Sequence, residues 1–285
     1  MISLPNKVTI IEVGPRDGLQ NEKKNVATEH KLRYIKGLQK AGVKEMELTS
    51  FVSPKWVPQM ADAADIMASV EKTGRQFVLT PNARGMENAI AAGAEHVAVF
   101  VGVSSTFNQK NINKTTDQAV EQLAEPIQQL LSKGIFVRAC ISTAFYCPYE
   151  GKQAIEDVIH LCRTFVEMGV QELSVADTIG KASPLESYTL FSLLKDQFPN
   201  TLITAHFHDT EKMALANIFA AMQAGVDRFD SSAGGLGGCP FAPGATGNVA
   251  TEQVVHMLHR MSIETGIDEN VLQQTIKEIR PYVSM

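Results

Sequence analysis

A closed (β/α)8 barrel with an extra C-terminal helix is the fold class that the sequence predicts, on three observations. Short apolar runs rich in β-branched residues alternate with longer segments of helical period. A glycine recurs between the end of one helical segment and the next strand. The side chains best suited to chemistry fall just past the strand ends, where such barrels build their sites. Eight strands with eight crossover helices close a barrel. A length of 285 residues suits one domain over 1–285, since such barrels commonly run to about 250 residues. The rival is an open doubly wound sheet. Its glycine-rich dinucleotide fingerprint is missing after the first strand, where the chain reads Gly14-Pro15-Arg16-Asp17-Gly18.

The first strand is expected at Val8–Val13, and Glu29–Lys40, with Leu32, Ile35 and Leu38 on one side, as its helix. Further strands are expected at Val43–Leu48, Phe77–Leu79, Val97–Val101, Ile135–Ile141, Glu172–Val175, Leu202–His206 and Arg228–Asp230. Between them, apolar residues three and four apart mark helical faces: Val120, Leu123, Ala124, Ile127 and Leu131, then Ile155, Val158, Ile159, Cys162, Phe165 and Val166. Leu215, Ile218, Phe219 and Met222 mark another, and Asp268 to Arg280 is read as the extra C-terminal helix. Gly42, Gly93, Gly134, Gly169 and Gly225 each stand between a helix end and a strand start. One repeated β-α unit explains that recurrence better than a mosaic of domains.

With 44% hydrophobic residues, 20% charged and a net charge of −5, the chain has no broad attraction for nucleic acid or an anionic membrane. No apolar run approaches the roughly 20 residues of a membrane span. The first apolar run is too short for a secretory leader. Cys140, Cys147, Cys162 and Cys239 show no metal-ligand spacing, so free thiols in a reducing compartment are expected.

The chemistry collects at three strand ends. After the first lies Gly14-Pro15-Arg16-Asp17-Gly18-Leu19-Gln20, a solvated turn or the start of a site. At the seventh lies His206-Phe207-His208-Asp209, and two histidines one residue apart on a strand point the same way, as two ligands of one ion require. After the eighth runs Ser231 to Asn248, with six glycines, two prolines and Cys239 in the middle. That composition argues against regular structure and for a lid-like loop. Asn248 would open the last helix, where its plain role is an N-cap. Asp17, His206, His208 and Asn248 make a mixed nitrogen and oxygen set that suits an octahedral ion such as Mg2+ or Mn2+. Glu47 and Asp177 also end strands, either as ion pairs of Arg16 or as orienting partners of Arg16 and His206.

Together these residues resemble the HMG-CoA lyase family, over essentially the whole chain. Gly237-Gly238-Cys239-Pro240, continuing to Gly247-Asn248-Val249-Ala250-Thr251-Glu252, looks like the family's cysteine-loop signature. Arg16-Asp17-Gly18-Leu19-Gln20 and His206-Phe207-His208-Asp209 fit too, but also resemble the wider group of isopropylmalate and homocitrate synthases. Those Claisen-type condensing enzymes typically carry Gly-Glu-Arg where this chain has Gly238-Cys239-Pro240. The resemblance implies metal-dependent cleavage of (S)-3-hydroxy-3-methylglutaryl-CoA to acetyl-CoA and acetoacetate, chemistry of the leucine-degradation type. His206 and Asp17 are the candidate bases for the substrate hydroxyl. Arg16 is placed near the thioester carbonyl and Cys239 as a proton donor to the enolate carbon. Gln20 and Asn111 are expected at the substrate, with Lys23, Lys24 and Lys110 as weaker candidates for the CoA phosphates. With no transit segment, and an end at Tyr282-Val283-Ser284-Met285 that holds no peroxisomal tripeptide, a bacterial-type, cytoplasmic homodimer is expected. A metal-binding barrel without catalysis is the non-enzyme reading, and it would have no use for Cys239 or Arg16.

Overall fold

The computed structural model describes residues 4–237 and 247–284. The eight strands predicted form a closed parallel barrel. In chain order the elements begin β1 (Thr9–Glu12), α1 (Thr28–Lys40), β2 (Glu45–Ser50), α2 (Ala63–Ser69), β3 (Arg75–Leu79), α3 (Ala83–Ala91) and β4 (His96–Gly102). Then come α4 (Ser105–Ile112), α5 (Thr116–Ser132), β5 (Phe136–Ser142), a two-stranded hairpin of β6 (Tyr146–Cys147) and β7 (Gly151–Lys152), and α6 (Ile155–Glu167). The rest is β8 (Glu172–Asp177), α7 (Pro184–Gln197), β9 (Leu202–Phe207), α8 (Ala214–Gln223), β10 (Arg228–Ser231), α9 (Thr251–Arg260) and α10 (Glu269–Ile279). The barrel order is β1-β10-β9-β8-β5-β4-β3-β2, closed by β1 against β2.

All five repeated glycines have positive φ, from 74° at Gly134 to 100° at Gly42, as helix-closing positions require. Gly42 carries a second constraint, because a Cβ there would lie 2.2 Å from the carbonyl oxygen of Gly266. The extra C-terminal helix is α10, with Asp268 accepting the Asn270 and Val271 amides as its N-cap. It packs on α1, where Gly37 leaves room for Thr275. Two features go beyond the expected eight strands, eight crossover helices and C-terminal helix. They are α4, whose faint amphipathic pattern falls below a periodicity reading, and the hairpin, whose strands have two residues each.

Strands β2, β8 and β10 are buried along their whole length. Their outer faces meet the helices in one continuous apolar core. The inner face differs. Pairing register places Glu45, Ile11 and Asp230 at one level, and Arg138 beside Glu172. Arg138, 1% exposed, reaches Asp230 with one guanidinium nitrogen and lies 3.6 Å from Glu172. Arg228 contacts Glu45 and Glu172, and Thr204 donates to Glu172 at 2.6 Å. The lower interior is thus a neutralised ionic cluster capped by Phe77 and Phe136, over which Arg138 and Arg75 lie. Desolvating such charges is tolerable only because each finds an opposite partner at contact distance.

Candidate active site

The carboxyl ends of the strands open into a cavity of about 1020 Å3, lined by residues of both the barrel mouth and the surrounding loops. Local sequence explains how Arg16 and Asp17 reach it. The amides of Arg16, Asp17 and Gly18 all donate to the carbonyl of Val13, at 3.2, 2.7 and 3.1 Å. This coils Gly14–Gly18 into a single wide π-type turn after β1. Gly14 is needed there, since a Cβ would meet the Tyr34 hydroxyl at 2.4 Å and Glu12 at 2.6 Å. The turn lays the Arg16 guanidinium against Asp17 (2.5 Å) and Glu47 (2.7 Å), with 11% of the Arg16 side chain exposed.

Three of the four predicted ion ligands cluster: one ligand atom each from Asp17, His206 and His208 lies within 4.8 Å of the others. His206 is the penultimate residue of β9 and His208 lies just past its end, with ring centroids 5.2 Å apart. Asn248 joins them by backbone pairing. Asp209 donates to Gly247 (2.8 Å) and Val249 to Phe207 (3.1 Å), so the stretch before α9 runs antiparallel beside the histidines. Its amide nitrogen donates to Asp17 at 2.7 Å and to the Leu236 carbonyl at 3.1 Å. Gly237, at φ 104°, allows that approach, because a Cβ would fall 2.6 Å from the Asn248 amide nitrogen. Asn248 does not open the last helix as expected. That N-cap position belongs to Ala250, and pairing with His208 keeps Asn248 extended.

The donor set fits a hard divalent ion. Burial works to raise the Asp17 carboxyl, but Arg16, the two imidazoles and the Asn248 amide outweigh it and hold the group at about 2. Asp17 is therefore anionic at neutral pH. Burial, helped by His206, pushes His208 down to about 4, leaving its imidazole neutral with a lone pair to give. The buried Nδ1 of His208 has no hydrogen-bond partner among the described residues, an orphan that a bound ligand network would explain. Two imidazoles, a carboxylate and an amide, without thiolate among the described residues, favour oxygen-preferring cations.

Glu47 is buried and holds Arg16, as one of its two expected roles requires. Asp177 differs from expectation. Ala176 and Thr178 line the cavity and Asp177 between them does not. Its carboxylate accepts the Lys181 and Ala182 amides, and burial pushes it up to about 6. The orienting partner of His206 is Asp230, 3.1 Å from Nδ1. Gln20 and Asn111 line the cavity, and Lys110 lies over the Tyr149 ring beside them. Lys23 and Lys24 are exposed and do not line it. Cys147 belongs to the hairpin and is buried, with Sγ 3.1 Å from the Ser104 hydroxyl. Cys239 lies outside the described residues. Cavity residues missed by sequence reasoning include Trp56, 84% exposed, Lys114, Cys140 and Asp230. The last two share a signal: Arg138/Cys140 and Arg228/Asp230 put unusual side chains at alternate positions of buried strands.

Comparison with known proteins agrees with this geometry. The HMGL-like family model matches residues 7–279. The hydroxymethylglutaryl-CoA lyase YngG of Bacillus subtilis is 46% identical over 277 residues, covering 96% of this chain and 93% of its own. The crystal structure of hydroxymethylglutaryl-CoA lyase from Pseudomonas aeruginosa superposes with a TM-score of 0.95 at 40% identity, over 98% of this chain and 94% of that one. The HMG-CoA lyase of A. baumannii, solved in complex with coenzyme A and 3-methylmalate, matches with a TM-score of 0.92 at 34% identity, over 99% and 92%. No helix among the described residues is long and apolar enough to cross a membrane. On the barrel, its ligand cluster and these full-length matches, the chain belongs to the HMGL-like family and stands among its hydroxymethylglutaryl-CoA lyases.

Proposed function

We propose that the chain cleaves (S)-3-hydroxy-3-methylglutaryl-CoA to acetyl-CoA and acetoacetate, with Mg2+ or Mn2+ held by Asp17, His206, His208 and Asn248. The observation that carries the reading is the contact between Arg16 and Asp17. Adjacent residues place a permanent cation for an enolate oxygen directly beside an anionic ion ligand. The bound ion would supply the charge that acidifies the tertiary hydroxyl. Of the two candidate bases, His206 and Asp17, Asp17 is the one that would take that proton, because His206, held at Nδ1 by Asp230, would give its other nitrogen to the ion. Arg16, fixed by Glu47, would stabilise the thioester enolate as the carbon–carbon bond breaks. Such preorganised charge commonly lowers a barrier by about 3–4 kcal/mol. Cys239 would return a proton to the enolate carbon, and Asp177 would support the mouth from the loop behind it. Gln20 and Asn111, at the cavity wall, would meet the acyl-CoA, with Lys110 near its phosphates.

The single domain 1–285 would act as a cytoplasmic homodimer, in chemistry of the leucine-degradation type, on a small acyl-CoA and without nucleic acid or membrane. A coupled assay for acetoacetate from HMG-CoA, run beside a thiol assay for CoA released from acetyl-CoA and a 2-oxo acid, tests the function. Acetoacetate with no CoA release supports the lyase. CoA release alone would make the chain a condensing enzyme of the isopropylmalate or homocitrate synthase type.

A further inference from the structure

The seventh and eighth strands bring an ion-ligand histidine against the ionic cluster inside the barrel. Asp230 and His206 are register partners on β10 and β9. One Asp230 oxygen, Oδ2, lies 3.1 Å from His206 Nδ1 and accepts the Ser174 hydroxyl at 2.8 Å. The other accepts Arg138 Nη2 at 2.6 Å, and the same nitrogen reaches Oδ2. Asp230 is 3% exposed and Arg138 1%, so both rely mainly on protein partners. A carboxylate locked by an arginine and a hydroxyl is a fixed acceptor. A neutral imidazole facing it lowers its energy by carrying its proton on the nearer nitrogen.

We infer that Asp230 is a positioning residue for the ion site, fixing the ring plane of His206 with the proton on Nδ1 and leaving Nε2 to meet the ion. The inference deepens the ion site proposed above and does not depend on the identity of the substrate. It assigns the interior cluster a task beyond filling the barrel. Arg138 and Ser174 immobilise Asp230, and Asp230 immobilises His206. Partners of this kind behind a ligating histidine typically matter by about 10–100-fold in metal affinity.

Long-range proton–nitrogen NMR of metal-free, 15N-histidine-labelled protein reads the tautomer directly, with His206 assigned against His206→Gln. The expected spectrum has the proton on Nδ1 and a bare Nε2. Electron paramagnetic resonance of free Mn2+ then gives affinity without substrate. In the double variant Asp230→Asn/Arg138→Met, where neither buried charge is left alone, affinity should fall about 10–100-fold. Thr204→Val cuts a bond of the same cluster to Glu172 without touching His206, and should stay within about two-fold. Should the double variant fail to fold, Asp230→Glu displaces the carboxylate while keeping its charge and should also weaken Mn2+. A proton on Nε2 in the parent overturns the inference. So does parent-like Mn2+ affinity in a folded Asp230 variant, or an equal loss in Thr204→Val. Failure of the lyase assay leaves both readouts intact, and a parent that binds no Mn2+ would sink the ion site while the tautomer still decides the role of Asp230.

Discussion

Replacing Arg16 by glutamine separates transition-state stabilisation from binding. A guanidinium attracts an oxyanion at about 3 Å by about 5–6 kcal/mol at an effective dielectric of about 20. Asp17 and Glu47 already occupy two edges of Arg16, at 2.5 and 2.7 Å, and cancel part of that field. About 3–4 kcal/mol should remain, in line with the loss of one oxyanion donor, which is about 10²–10³ in kcat. Binding of the ion should survive, because removing a neighbouring cation does not weaken attraction for another cation. Stability should fall modestly, since Glu47, with 3% of its side chain exposed, loses its charge partner but keeps an amide N–H within reach. Steady-state kinetics on HMG-CoA, with thermal unfolding and Mn2+ binding alongside, checks each part. A kcat within a few-fold of the parent and a steeply raised KM would refute the reasoning and leave Arg16 as a binding residue only.

Three further outcomes are expected. Chelation should abolish activity and Mg2+ or Mn2+ should restore it without refolding, because the cluster sits on barrel strand ends and adjoining turns; activity that returns only after denaturation and refolding would contradict a preformed site. Cys239→Ser should keep the fold yet lose orders of magnitude in turnover, and iodoacetamide inactivation should track Cys239 in peptide mapping, since burial pushes the Cys140 and Cys162 thiols up to about 12. Burial also raises Glu12 to about 7, against hydrogen bonds from Thr251, Ala233 and Gly14. A carboxyl raised on folding stabilises fully below its unfolded value of 4.5 and loses that contribution as pH rises through 7. Denaturant titrations should therefore show the parent losing about 3 kcal/mol over that window relative to Glu12→Gln, and parallel curves would refute the assignment.

The fold was legible because the barrel strands are short runs rich in apolar residues and five of the eight follow a helix-ending glycine with positive φ. The ligand cluster was legible because His206 and His208 share strand alternation and Asp17 follows a buried strand. What the sequence hid was the inside of the barrel. Glu45, Arg138, Glu172, Arg228 and Asp230 lie at or near strand starts, and each alone resembles a residue at the edge of solvent. Only the register of four different strands reveals that they neutralise one another. Asp177 misled for a related reason. It ends its strand, but its side chain does not line the cavity and accepts amides of its own loop. Asn248 was placed in the ligand set, but its expected position at a helix start was wrong, because the partners that keep it extended, His208 and Asp17, are distant in sequence.

The central claim is that one divalent ion at Asp17, His206 and His208 runs carbon–carbon cleavage in this barrel. Its most direct test titrates metal-stripped protein with Mn2+, reading bound ion by electron paramagnetic resonance and acetoacetate formation from HMG-CoA in the same samples. The account predicts a rate that rises in proportion to occupancy and levels off at one ion per chain. Full acetoacetate formation at zero occupancy, or occupancy that saturates with no acetoacetate formed, would contradict it.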